Sequence, residues 1–485
     1  MLCQPSVPAL SSPKDCKQLY QFIEFCKQQS IVDDHPKIAS VTLSIPAVDP
    51  LRVMHDLMQP DELHFYVENR EEGRAIAAIN TALIHQSEGT QRFAAAQQFT
   101  QDWLPHLITE AEHLPWAMPQ FFGNFTFFDQ EPNSYFAPAT IFLPQWQIIR
   151  SQEQCALVAN FLVDFQSNSE QLANKIWQQV QTVSRLQHDC LFLANVLPHS
   201  LKQWEIEQWE TEQFRSAVVA ALESIQNQQI HKLVLAHAVD VRSPLPFQWA
   251  HSLHNLRQRH PDCTVFSVGN GKGQSFIGAS PERILSIHNH QLVTDALAGS
   301  SPRGQTAIED ADLAQRLMNS DKERREHQVV VDFIAQRLIH LGLQPTFTNS
   351  PNILPLSNIQ HLHTPIHAAV PSHIHPLEIL ASLHPTPAVA GMPREIACQQ
   401  IRQYENFGRS LYAAPLGWID AQGNAEFIVG IRSALLDGHC ARLYAGAGIV
   451  KGSDPDRELA EIKLKFQTLL QALGSSNEIM SRSAP

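Results

Sequence analysis

The feature that most constrains this chain is the punctuation of its second half. From about residue 230 onward, short β-branched and aliphatic runs are separated by tight turn signals, with helical stretches inserted between groups of them. HKLVLAHAVDV reads as a strand. CTVFSVGN and QSFIGAS read as a strand pair turning at GKG, and RILSIHNHQLVTDALAG as a hairpin turning at Asn289–His290. SLYAAPLGWID, AEFIVGIRSALL and ARLYAGAGIV give three more strands, with turns at AQGN and DGHC. Residues 309–342 read as helix, another helix begins after Pro393, and a last one runs from about Asp454 to Gly474. Strands joined by tight turns pair antiparallel, so the pattern predicts an α+β fold and not a doubly wound parallel sheet.

The first half is less regular. Residues 35–150 mix β-like runs (IASVTLSI, ELHFYVEN, PATIFL, QWQII) with EGRAIAAINTAL, which reads as helical. SNSEQLANKIWQQVQTVSRLQ reads as helix, Leu197–Gln203 as a connection, and TEQFRSAVVAALESIQN as the helix opening the second half. The expected organisation is an N-terminal half over 1–205 with a loose first forty residues, a catalytic region over 206–475, and a flexible tail over 476–485.

Bulk properties narrow the partners. A net charge of −13 argues against nucleic acid or anionic membrane as the general partner, while leaving room for an anionic small molecule in a locally basic pocket. The eight cysteines are scattered without a Cys-x-x-Cys pair, as in a protein with reduced thiols. The start, MLCQPSVPALSSPKDC, lacks the basic and apolar regions of a secretory signal, and no apolar run is long enough for a bilayer. The expectation is a cytoplasmic protein without a membrane span, a monomer or weak homodimer.

Several residues could carry chemistry. Glu326 shares its helix stripe with Val329, Val330 and Phe333, and a carboxylate facing a core needs a partner, a metal or a proton. Glu458, Glu461 and Lys465 share one helix face beside Ile462, Phe466 and Leu469. That face suits an ordinary Glu–Lys surface pair or, with a second helix-borne glutamate, Mg2+. Alternation puts Lys232 with Val234 and Ala236, either outward or desolvated as a base. Glu282 follows Ser280–Pro281 at the start of a strand. The small residues of AGAG let a ligand approach the backbone, whereas GNGKG reads as a hairpin turn.

Taken in order, KLVLAH, GASPERIL, ALAGSSPRG, DKERREHQVVVD, QHLHTPI, LHPTPAVAGMP, AEFIVGIRSALL, RLYAGAGIV and ELAEIKLK resemble the chorismate-utilising enzymes, the anthranilate, aminodeoxychorismate, salicylate and isochorismate synthases. The resemblance covers about residues 211–470, and FFGNFTF is similar to the family's N-terminal half. It implies an anthranilate synthase component I-like fold, two large antiparallel sheets packed together with helices outside. It implies that Lys232 is the general base, Glu282 the general acid, and His361 a contact to substrate or its departing hydroxyl. Glu326 and Glu461 would ligate Mg2+, with Glu458 close by. Arg432, Gly446 and Gly448 would hold a substrate carboxylate, and Gly299, Ala388 and Lys465 would line the same cleft. LHPTPAVAG, with Ala388 where other members typically carry Thr, is similar to the isochorismate-forming members. The implied reaction is chorismate to isochorismate, for menaquinone or phylloquinone. A siderophore or salicylate route, a salicylate synthase and an inactive chorismate-binding relative are the alternatives.

Overall fold

The computed structural model describes residues 16–110, 114–186, 205–207, 211–357 and 359–474. Its strands build two large sheets that share one long pair, Arg74–Ser87 and Ala139–Ser151. A bulge between Thr81 and Leu83, next to Asn80 at φ 58°, interrupts the register of that pair. Such a bulge bends a strand, so one end of the pair belongs to each sheet.

The first sheet continues one way through Gln154–Val163 and Lys37–Ile45 to Leu107–Glu110, the last of these in parallel. The other way it continues through Leu63–Asn69, Thr264–Asn270, Ser275–Ser280, Ser433–Asp437 and Cys440–Val450 to Lys232–Arg242. The second sheet runs Gln120–Phe125, Pro415–Asp420, Ala425–Val429, Arg283–His288, Gln291–Pro302, Ile359–Ala369 and Asn352–Pro355. Their inner faces meet in one hydrophobic core, for example where the rings of Phe65 and Phe122 lie 5.1 Å apart. Helices lie outside. Thr211–Gln226, Trp249–Arg259 and Pro455–Leu473 pack on the first sheet, and Ala307–Asn319 and Asp321–His340 on the second. Among the described residues no helix is long and apolar enough to cross a membrane.

Local chemistry explains most boundaries. Asn289 and His290 both have positive φ, 50° and 63°, as a tight hairpin turn requires. The last helix is capped by Asp454, which accepts from the Asp456 and Arg457 amides, and ends at Gly474 with φ 107°.

Several expectations differ from the structure. EGRAIAAINTAL is not helical but belongs to the strand Arg74–Ser87. Residues 75–79 are buried without alternation, so an alanine-rich run loses the period that distinguishes strand from helix. PATIFL and QWQII form one strand that passes through Pro144, which sits beside the bulge. The helix over 309–342 is two, broken at Ser320, whose hydroxyl accepts from the Glu323 amide. AEFIVGIRSALL is two strands, because Gly430–Arg432 carries the chain from the second sheet to the first with Arg432 at φ 48°. The first forty residues include the helix Cys16–Val32 and the start of the strand Lys37–Ile45. Residues 1–15, Leu197–Gln203 and the tail 476–485 lie outside the described residues.

Candidate active site

Eleven of the twelve residues singled out above line one cleft of about 840 Å³, counting its open mouth: Lys232, Glu282, Gly299, Glu326, His361, Ala388, Arg432, Gly446, Gly448, Glu461 and Lys465. Glu458 is buried behind it, close enough to Glu461 and Glu326 to feel their charge.

The two sheets create this cleft through the segments that cross between them. Ser280–Pro281–Glu282 links Ser275–Ser280 in the first sheet to Arg283–His288 in the second. Ser280 Oγ accepts from the Glu282 amide at 3.2 Å, and the Val429 amide donates to the Glu282 carbonyl at 3.0 Å, so the backbone is held on both sides. The Glu282 carboxyl is buried. Desolvation, with a smaller push from the charge of Asp295, raises it to about 8 against the pull of Lys232. Arg432 sits in the return crossing. Its backbone carbonyl accepts from Ala279, its Nη1 lies 3.7 Å from Cys263 Sγ, and among the described residues no carboxylate pairs with it. An unpaired guanidinium at a cleft suits a substrate carboxylate.

Lys232 opens its strand opposite Val450 and Met392. The expected alternation holds: Lys232 and Val234 line the cleft while Leu233 and Leu235 are in the core. Lys232 Nζ is 1% exposed as a residue and sits 2.7 Å from Glu326 Oε1. Gly299 is the bulge residue between Ala298, opposite Leu362, and Ser300, opposite His361. Its φ is 78°, and a Cβ there would lie 3.2 Å from the Glu323 carbonyl. His361 bonds to the Gly299 backbone. Burial, with Arg432 and Lys465 nearby, pulls its imidazole down to about 3, so it is neutral.

Gly446 and Gly448 have two uses. They pair with Ala236 and Val234, whose amides bond elsewhere, to Glu405 and Ala390. These are therefore non-hydrogen-bonded pairs, and the glycine amides face the open side of the strand. The missing side chains also make room. A Cβ on Gly448 would lie 2.6 Å from Glu326 Oε1, and one on Gly446 2.6 Å from the Tyr412 hydroxyl. Lys465 bonds both Glu461 Oε1 and the Gly446 carbonyl at 2.7 Å, tying the last helix to this strand.

Glu326, Glu461 and Glu458 gather with a residue the sequence reading passed over, Glu323, one turn before Glu326. Burial first, then neighbouring glutamates, raises both Glu323 and Glu458. Lys322 reaches Glu323 at 3.5 Å and Glu458 at 3.7 Å. The four carboxylates feel one another's charge and are hard oxygen donors of the kind that suits a divalent cation such as Mg2+, although among the described residues no three of them bring oxygens within 4.8 Å of one another. The spacing of three to Glu326 was a signal for Glu323. For Tyr412, which also lines the cleft and stacks on Tyr444 at 5.2 Å, none existed, because SLYAAP reads as strand while the strand begins only at Pro415.

A family model described as chorismate binding enzyme matches residues 22–474. The chain is 33% identical over 448 residues to the salicylate biosynthesis isochorismate synthase of Pseudomonas aeruginosa, covering 91% of each. The solved menaquinone-specific isochorismate synthase from Escherichia coli is similar with TM-score 0.74 and 26% identity, over 93% of this chain and 100% of that one. Anthranilate synthase component I from Streptococcus pneumoniae, at 19% identity and TM-score 0.65 over 82% of this chain and 92% of that one, shares the fold.

Proposed function

The chain belongs to the chorismate-binding enzymes, and from that premise we propose that it isomerises chorismate to isochorismate with Mg2+ as cofactor. The observation that carries this reading is an acid and a base at one cleft: Glu282, whose carboxyl keeps its proton at neutral pH, and the buried Lys232. Water is a poor nucleophile and hydroxide a poor leaving group. Lys232, as the amine, takes a proton from water as its oxygen bonds to ring carbon 2. The double bonds shift, the carbon 4–oxygen bond breaks, and Glu282 delivers the proton with which the hydroxyl leaves as water. Each transfer contributes a factor of about 10² to 10⁴. Solvent then restores both groups, so no atom is gained or lost overall.

Chorismate carries two carboxylates. Arg432 with the Gly446 and Gly448 amides holds one. Glu326 and Glu461, with Glu323 and Glu458 behind them, would hold Mg2+, which supplies charge neutralisation for the other. Neutral His361 offers a hydrogen bond near the departing hydroxyl. Removing the metal with excess EDTA should stop turnover, and Glu461→Ala should abolish Mg2+-dependent activity while circular dichroism stays unchanged. Full activity in EDTA would refute the metal role.

For the use of the product, quinone biosynthesis (menaquinone or phylloquinone) is our first reading, supported by similarity to the menaquinone-specific structure along that structure's whole length. The 33% identity to an enzyme named for salicylate biosynthesis supports a salicylate route as the second. Deleting the gene in its host and measuring menaquinone or phylloquinone and salicylate separately would show which of them is lost.

A further inference from the structure

The turn after the helix Trp249–Arg259 places three chemically different donors together. His260 caps that helix, its amide donating to the Leu256 carbonyl, and the Cys263 amide donates back to the His260 carbonyl at 3.2 Å. Pro261 takes the second position of this tight turn, where its fixed φ fits. One ring nitrogen of His260, one carboxylate oxygen of Asp262 and the Cys263 sulfur thereby lie within 4.8 Å of one another. Among the described residues this is the only such group of three histidine, cysteine or acidic side chains.

His260 is the unusual member. It is 4% exposed, and neither ring nitrogen has a hydrogen-bond partner among the described residues. Each imidazole nitrogen carries a lone pair or an N–H, and burying both without a partner is uncommon. Here one of the two already lies beside a carboxylate oxygen and a sulfur. Asp262 is held in place from the other side. The Ser357 amide donates to its Oδ2 at 2.7 Å and the Ser357 hydroxyl to its Oδ1 at 2.9 Å. These bonds fix the carboxylate and leave lone pairs on both oxygens. Cys263 is buried, and Arg432, which lines the catalytic cleft, reaches its sulfur with Nη1 at 3.7 Å. Arg432 and Arg259 stand near enough to His260 to oppose a cation, and the carboxylate with the thiolate sets two negative charges against them.

Nitrogen, oxygen and sulfur donors together suit a borderline-soft ion and not Mg2+, which takes oxygen. Donors on a tetrahedral Zn2+ stand about 3.3–3.8 Å apart, so the three side chains need to draw in by about an ångström. No open cavity is required, because the ion lies between the donors, as in closed zinc sites. It arrives from solvent at the exposed Pro261 and the half-buried Asp262. We propose that His260, Asp262 and Cys263 form a Zn2+ site, separate from the glutamate cluster and directly behind Arg432, with water as the fourth ligand. Binding exchanges the Cys263 thiol proton for the ion, and that proton passes to the buffer.

Titration of the full-length protein with Co2+ tests this, because a thiolate bound to Co2+ gives a near-ultraviolet charge-transfer band that carboxylate-bound Co2+ lacks. The band should saturate at one equivalent, disappear when Zn2+ is added, and survive a large excess of Mg2+. Cys263→Ser should abolish it. Asp262→Asn and His260→Ala should each weaken Co2+ binding by about tenfold or more. Asp262 is partly exposed, so Asp262→Asn decides the matter even if a substitution at a buried position does not fold. No band after overnight equilibration with excess Co2+ would overturn the proposal. So would a band that Cys263→Ser leaves in place, which would belong to another cysteine, or Co2+ binding indifferent to Asp262→Asn.

Discussion

Glu282 is the residue whose environment says most about its role. Burial pushes its carboxyl up to about 8, so it is protonated at neutral pH and loses its proton as pH rises through that value. A reaction that needs the protonated acid is therefore at full rate below about pH 8 and slows above it. Glu282→Gln should cut kcat by about 10² to 10⁴ and remove that alkaline limb from the residual pH–rate profile. An alkaline limb of the same midpoint in both proteins would assign it to another group. Gly448 makes a sharper steric point. A methyl group there would lie 2.6 Å from Glu326 Oε1 and 3.3 Å from Lys232 Cε. Gly448→Ala should displace the Glu326–Lys232 pair and lower kcat at least tenfold, while urea denaturation shifts little. Loss of stability without loss of rate would contradict this. The motifs made Lys232, Glu282, Glu326 and Glu461 legible as candidates in the sequence. That Gly448 must lack a side chain because Lys232 and Glu326 meet beside it was not, since it depends on which strand lies opposite which helix.

The helices that bring carboxylates to the cleft depend on their ends. Ser320 closes one helix and caps the next, three residues before Glu323 and six before Glu326. Ser320→Ala should cost about 0.5–2 kcal/mol of stability, read from urea midpoints. It should weaken Mg2+ dependence more than Ala substitution at a solvent-facing position such as Arg325. Equal apparent Mg2+ constants would show that the cap is not needed to position the glutamates. Capping signals are local, which is why the final helix was legible at both ends, from Asp454 to Gly474, and why the Asn289–His290 turn was too. The Ser320 break was not, because apolar and charged residues continue across it. Nor was the strand Arg74–Ser87, whose alanine-rich sequence carries no period and whose conformation is set by pairing with Ala139–Ser151. The crossing at Gly430–Arg432 was hidden for a related reason. Two strands in different sheets read as one apolar run when their link is short.

At the scale of the whole molecule, two antiparallel sheets share a bent strand pair, and the crossings between them deliver Glu282 and Arg432 to a cleft closed by two glutamate-bearing helices. That arrangement asks for a small dianion and one acid–base exchange, and its size leaves the ring's fate to details such as Ala388. A methyl group there offers no hydrogen bond to hold the product in the folded pose that pyruvate loss requires. Ala388→Thr should therefore raise the pyruvate-forming side reaction, measured with lactate dehydrogenase as the coupling enzyme. Unchanged pyruvate would remove Ala388 from the explanation of product identity. The reaction itself is decided by incubating the protein with chorismate and Mg2+, with and without ammonia, and separating the products by chromatography. Isochorismate should form, with little pyruvate and no anthranilate in either case. Stoichiometric pyruvate, an ammonia-dependent product, or unchanged chorismate would contradict it.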